Sequence, residues 1–346
     1  MQFNTTVTLK EAMSLVTTCG HTNTFIFQSE PGIGKSSMLK ALKRDTKMDT
    51  RYVDCALLDL GDLQMPKVGD AVDFVPNRLF VGDKPMIIML DEIGKAMRPV
   101  QNALLTLLLE HRIGTTYLPE GSIVFGTTNM ASDGVGDMLQ AHARNRVSFL
   151  TISKPTADEW LAWATANDID PAVCAWVREY PHCLASYMDG ESAKENPYIF
   201  NPRKQQDAFV TPRSLEHASH IAKQRDMLNQ DTLLAALAGT IGRSAAADMQ
   251  AFLSVADSLP KWVDIINNPE KAPLPDNAVA SVILSIAAAM RVDGTNATAW
   301  ITYMLRLPKE VQFMFATLAR NTPATFVHLT RDKTFRDWAV SNSWAY

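Results

Sequence analysis

The 346 residues are 47% hydrophobic and 20% charged, which allows a sizeable core over two or three domains and excludes bulk disorder. A net charge of −4 and a pI near 6.0 argue against a protein-wide electrostatic grip on DNA or RNA, although a local basic loop remains compatible with them. The four cysteines (Cys19, Cys55, Cys174 and Cys183) are scattered without a C-x-x-C pair, so neither a zinc site nor a disulfide framework is expected. No basic region followed by an apolar run opens the chain, and the longest apolar stretch, residues 278–290, is too short to span a bilayer. A cytoplasmic protein is expected.

Thr8 and Glu11 form a capping box, and Leu9, Ala12, Met13 and Val16 follow at helical spacing. This helix is expected against the sheet edge or near a nucleotide base. Phe25-Ile26-Phe27 then reads as a buried strand, followed by Pro31-Gly32-Ile33-Gly34-Lys35-Ser36-Ser37 and a helix carrying Met38, Leu39 and Leu42. Strand, glycine loop, Lys-Ser and helix make a phosphate-binding loop. The backbone amides of residues 31–37 would cradle phosphates, Lys35 would reach the β and γ oxygens, and the Ser36 hydroxyl would ligate Mg²⁺. Ser29 stands where the pattern G-x-x-x-x-G-K-[ST] has its first Gly, a mild departure because Ser tolerates tight turns.

Residues 51–58 read as a second strand, and residues 61–82 show no periodicity, with Pro66, Gly69 and Pro76 as breakers. So long an irregular segment reads either as a loop projecting toward a substrate or as an inert excursion. Residues 86–90 are continuously apolar, as in a strand buried on both faces of a parallel sheet, and end in Asp91-Glu92. Beside the phosphate loop, Asp91 would hold the Mg²⁺ of a nucleotide, and Glu92 would orient and deprotonate an attacking water. ATP hydrolysis is the expected chemistry.

Pro99 opens a helix whose Val100, Leu104, Leu107 and Leu108 share a face and which Gly114 ends, and a small hairpin is expected at 115–120. The strand 122–127 ends in Thr128-Asn129. Between the first two motifs, Asn129 would meet the γ-phosphate or the water, although Asn at a strand end is more often a turn former. Residues 138–146 read as a helix and 147–152 as the fifth strand, with Arg144 and Arg146 just before it. Five strands with intervening helices give a doubly wound parallel α/β sheet.

From Thr156 onward only helices are expected. Trp160, Trp163 and Trp176 read as core rather than as a stacking platform. Thr211-Pro212-Arg213-Ser214 reads as N-cap, N1 and a first-turn arginine. Further helices fall near 231–239, 245–257, 277–291, 297–306 and 309–320, several apolar all round and so buried. The expected domains are residues 1–153, a helical lid over 154–258, and a helical extension over 259–346.

Ser29 to Ser36, then Leu90-Asp91-Glu92-Ile93, Gly126-Thr127-Thr128-Asn129, Ala143-Arg144-Asn145-Arg146-Val147 and Thr211-Pro212-Arg213-Ser214 occur in the order of AAA+ ATPases. The stretches Val100-Gln101-Asn102-Ala103-Leu104-Leu105 and Leu118-Pro119-Glu120-Gly121 resemble the MoxR-type branch, and the resemblance spans about residues 8–220. It implies Lys35 and Ser36 as Walker A, Asp91 and Glu92 as Walker B, and Asn129 as sensor 1. It also implies Arg146, with Arg144 as the other candidate, as an arginine finger, and Arg213 as sensor 2 on a lid. The family binds ATP with Mg²⁺ and forms homo-oligomeric rings, usually hexamers. Its members remodel or activate protein partners, often ones carrying a von Willebrand factor A domain. Gly94-Lys95 replaces the Asn-Arg that commonly follows the Walker B Glu, which puts in doubt any intersubunit contact of that Arg. A nucleic-acid-associated motor or restriction-type NTPase is the alternative, disfavoured by the acidic pI, and a nucleotide-gated scaffold without turnover is disfavoured by Glu92.

Overall fold

Alternation decides the architecture of the first half of the chain. The computed structural model describes residues 5–70, 72–130, 146–190, 193, 195–202 and 206–342. It divides into two compact units, Met1–Lys154 and Pro155–Tyr346.

The first unit is built on a parallel sheet of six strands, not five. These are β1 (Thr6–Val7), β2 (Phe25–Ser29), β3 (Asp49–Asp54), β6 (Met86–Asp91), β9 (Ile123–Asn129) and β10 (Ser148–Ile152), in the order β1-β10-β2-β9-β6-β3. The added strand is two residues long and partly polar, too short to carry a periodic signal. Along the central strands, Phe25, Phe27, Ile87, Met89 and Phe125 point to one face and Ile26, Ile88, Leu90 and Val124 to the other. The first face is covered by α1 (Leu9–Cys19) and α2 (Lys35–Thr46), through Ala12, Val16, Met38, Leu39 and Leu42. The second is covered by α4 (Arg98–Glu110), through Val100, Leu104, Leu107 and Leu108. Thus α1 lies on the sheet face beside α2 rather than at the sheet edge.

The order of strands corrects the expectation that the Asp-Glu strand adjoins the phosphate-loop strand. Strand β9 lies between β2 and β6, so the Asp-Glu strand is one removed from the phosphate-loop strand, and Asn129 stands between the two motifs. Strand β10 is not an edge strand, because it is inserted between β1 and β2.

The stretch 61–82 is not irregular either. A short α3 (Leu60–Leu63) leads into an antiparallel hairpin of β4 (Gln64–Val68) and β5 (Val72–Pro76), then a 3₁₀ turn at Arg78–Phe80. A second hairpin pairs β7 (Arg112–Ile113) with β8 (Thr116–Tyr117), near the place expected for one. The expected helix 138–146 falls, except for its last residue, outside the described residues.

The second unit has helices and no strand among its described residues, from α5 (Ala157–Ala166) and α6 (Pro171–Glu179) through α7 (Pro212–Ala222), α8 (Gln230–Ile241) and α9 (Arg243–Asp257). Beyond these come α10 (Trp262–Asn267), α11 (Ala278–Arg291), α12 (Ala297–Met304), α13 (Lys309–Arg320), α14 (Pro323–Arg331) and α15 (Lys333–Ser341). Trp160 and Trp176 are buried in one core and Trp300 in another, with α11 contributing Ile283 and Ile286 to the first and Leu284 and Ala288 to the second. No helix among the described residues is long and apolar enough to cross a membrane.

Candidate nucleotide site

The loop after β2 takes backbone conformations that only glycine adopts without strain. Gly32 has φ 73° and Gly34 φ 103°, and Gly34 is the N-cap of α2. No side chain caps that terminus, so it presents backbone amides and the positive end of the helix dipole without a competing acceptor of its own. Pro31, Gly32, Ile33 and Gly34 make the loop. Lys35 and Ser36 begin the helix, with Ser36 half-buried and Ser37 exposed. Such a concave, uncapped helix start fits a phosphate group.

Lys35 is only 6% exposed, and its ammonium donates to three oxygens: Ser29 Oγ at 3.0 Å, Thr128 O at 3.2 Å and Asn129 Oδ1 at 2.8 Å. Ser29, the departure from the glycine pattern, is therefore a lysine ligand, and its own hydroxyl donates to Glu30 O at 2.9 Å. Asn129 faces Ser29 across the sheet, and its Nδ2 donates to Glu92 Oε1 at 2.8 Å. Glu92 in turn is ion-paired through Oε2 with Lys95. Lys35, Asn129, Glu92 and Lys95 thus form one continuous polar relay across the ends of β2, β9 and β6.

Asp91 is 6% exposed and held from two sides. Tyr52 of β3 donates its hydroxyl to Oδ2 at 2.8 Å, and the Thr127 hydroxyl of β9 donates to Oδ1. These hydrogen bonds fix the plane of the carboxylate, which suits a Mg²⁺ ligand. Burial, reinforced by Asp91 and Asp54, pushes the neighbouring Cys55 thiol up, so it stays protonated beside these acids.

Arg146 lies apart from this relay. Arg146 is exposed in the turn before β10, and Ser148 pairs with Phe25, the first residue of β2, whereas the phosphate loop follows the last. Arg146 therefore occupies the sheet end opposite its own phosphate loop. Arg144 lies outside the described residues. Arg213 is exposed in the first turn of α7, in the second unit. Its helix starts as the sequence implies: Thr211 Oγ1 accepts from Ser214 N at 3.0 Å, and Ser214 Oγ accepts from Thr211 N at 2.8 Å.

Sequence reasoning gave no role to Tyr52, Thr127, Thr128, Ser29 or Lys95. Thr127 and Thr128 sit inside the quoted strand end, so a pattern of hydroxyls beside Asn129 was the available signal. Tyr52 carried none, because its reach to Asp91 depends on the pairing of β3 with β6. Gly94 also gains a reason. A Cβ there would lie 2.8 Å from Thr128 Oγ1, on a β-branched residue held in a central strand. We expect Gly94→Ala to cost about 1–3 kcal/mol by overpacking, read as a lowered urea midpoint. An unchanged midpoint would mean that Thr128 yields freely.

A glycine loop at an uncapped helix start, a buried lysine, and Asp-Glu at the end of a parallel strand one removed define a P-loop nucleoside triphosphatase. Residues 25–151 match the family described as ATPase family associated with various cellular activities (AAA), and the chain is accordingly an ATP-hydrolysing enzyme with an AAA domain. That match reaches the family and no narrower branch. Comparison with curated proteins finds no match. Among solved structures, a point mutant of the Thermotoga maritima RuvB is similar at 14% identity and TM-score 0.40, covering 76% of either chain. The Thermotoga maritima RuvB Holliday junction branch migration motor is similar at 15% identity and TM-score 0.38, covering 76% of this chain and 75% of that one. A candidate ATPase from Cytophaga hutchinsonii gives 14% identity and TM-score 0.36 over 72% of this chain and 90% of its own. At these scores the likenesses carry no argument about function.

Proposed function

We propose that this ATPase is a MoxR-like, ring-forming, chaperone-like motor that remodels or activates a partner protein. The observation that supports a protein partner is the β4–β5 hairpin of the ATPase unit. Met65, Val68, Val72, Phe74 and Val75 are each between 48% and 80% exposed, an apolar surface suited to protein rather than to a polyanion. The resemblance to the MoxR branch points to a partner with a von Willebrand factor A domain and to a hexamer.

In this reading Pro31, Gly32, Ile33, Gly34, Lys35, Ser36 and Ser37 bind the phosphates, and Ser36 and Asp91 hold Mg²⁺. The ion would neutralise charge on the β and γ oxygens. Lys35, already buried among oxygen acceptors, exchanges one of them for a phosphate oxygen. Glu92 accepts the proton of the attacking water, and Asn129, bonded to both Lys35 and Glu92, couples phosphate occupancy to the position of that base. Arg146 serves the site of a neighbouring subunit, and Arg213 senses the γ-phosphate from a lid spanning residues 154–258, with 259–346 as a helical extension.

The test is ATP turnover by the purified chain with Mg²⁺, alone, with duplex or single-stranded DNA, and with a von Willebrand A-type protein. Turnover is expected to rise with the protein and to be unmoved by DNA. Stimulation by DNA alone would replace this reading with that of a nucleic-acid motor.

A further inference from the structure

Lys95 sits three residues beyond Glu92, and the 3₁₀ turn Ile93–Lys95 folds it back over that residue, with Lys95 N donating to Glu92 O at 2.8 Å. Side chains at i and i+3 eclipse in such a turn, which is how the ammonium meets the Glu92 carboxylate. The turn itself is braced. Gln101, buried on α4, donates through Nε2 to Gly94 O at 3.2 Å and to Ala96 O at 3.0 Å, one carbonyl on either side of Lys95. Lys95 is therefore presented from a fixed backbone, although its side chain is 37% exposed.

Both oxygens of Glu92 are engaged, Oε1 by Asn129 and Oε2 by Lys95. A carboxylate that is to take a proton from water must turn a lone pair of one of them toward that water, which a shift of either contact makes easier. The two contacts differ in what else they touch. Asn129 also accepts from Lys35, so a phosphate group drawing on Lys35 disturbs the Asn129 side of the carboxylate. Lys95 meets Oε2, the oxygen that Asn129 does not contact, so its hold is separate from that disturbance.

We propose that Lys95 is a positioning residue for hydrolysis: it anchors Glu92 Oε2 so that Oε1, once released by Asn129, stays directed at the attacking water. The proposal rests on the reading of Glu92 as the base. Without the anchor a glutamate with three rotatable bonds samples many rotamers, and displacement of a catalytic group by about 1 Å costs up to ~10²-fold in rate. Lys95→Met keeps the stem and removes the charge, whereas Lys95→Arg keeps charge and reach.

We expect Lys95→Met to lower kcat about tenfold while leaving KM, the affinity for a fluorescent ATP analogue and the melting temperature at parent values, and Lys95→Arg to recover most of the loss. A merely structural pair would show no such split between kcat and KM. Parent-rate or faster turnover in Lys95→Met, a loss confined to KM, or a loss that Lys95→Arg does not recover would each overturn the proposal. Glu92→Gln is assayed in parallel. If it turns over at the parent rate, the reading of Glu92 fails and takes this inference with it. If it is inactive while Lys95→Met is not impaired, only the role of Lys95 fails.

Discussion

Glu92→Gln is expected to bind ATP and fail to hydrolyse it, whereas Lys35→Ala is expected to lose affinity for the nucleotide itself. Gln keeps the length of Glu92 and an Oε1 that accepts from Asn129 Nδ2, so the relay to Lys35 survives, but the group that takes the proton is gone. General-base catalysis contributes on the order of 10²–10⁴-fold, and turnover should fall by that factor. Lys35→Ala removes a charged donor already desolvated beside Ser29, Thr128 and Asn129. A charged hydrogen bond of this kind is worth roughly 1.5–3 kcal/mol, which should appear as a loss of affinity for an ATP analogue. Measuring affinity and turnover separately for the two variants distinguishes the roles. Hydrolysis at the parent rate in Glu92→Gln would sink the assignment.

Arg146→Ala should bind ATP as the parent does and be nearly inactive, and the defect should be repairable by a second, differently damaged subunit. The register of β10 against β2 supplies the reason. Ser148 lies opposite Phe25, so Arg146 sits at the end of the sheet where β2 begins, while the phosphate loop leaves β2 at Ser29. Five residues of strand span on the order of 15 Å, beyond the reach of a side chain around the edge of a packed sheet. Arg146 is exposed, and in the proposed ring it would serve a neighbour's γ-phosphate. An arginine delivered to the transferring phosphoryl group is worth on the order of 10³–10⁵ in rate. Mixing Arg146→Ala with Lys35→Ala subunits creates interfaces with an intact loop on one side and an intact arginine on the other. Activity should return in proportion to the mixing ratio. Absence of recovery despite demonstrated subunit exchange would mean that Arg146 acts within its own subunit or not at all.

The parts of the fold that were legible in the sequence are those in which burial writes a pattern. Strands β2, β6 and β9 are continuous apolar runs because both their faces are covered, and α4 shows its stripe because only one of its faces is. The β4–β5 hairpin was illegible for the converse reason. Met65 and Phe74 are both exposed, though they stand on opposite sides of the hairpin's pairing register, so no alternation marks a buried face. In the site, loop chemistry and strand-end acids were readable because they are local in sequence. The Tyr52 and Thr127 bonds to Asp91 and the Lys95 clamp were not, since each depends on a cross-strand register or a turn geometry that adjacent residues do not specify.

The placement of β10 between β1 and β2 has a consequence for the order in which the chain can assemble. Thr6 has its partner in Thr151 and Phe25 has one in Ser148, so the first two strands of this sheet in chain order are joined through its last. A nascent chain ending before residue 148 carries β1 and β2 with a gap of one strand between them and two unsatisfied edges facing it. Closing that gap brings together residues far apart in sequence, a slow step compared with forming the locally connected helices of the second unit. Until it closes, the phosphate-loop strand is itself an edge strand, open to wrong pairing. The interval between synthesis of Ser29 and of Ile152 is thus where aggregation is expected, and it coincides with the synthesis of nearly the whole proposed nucleotide site.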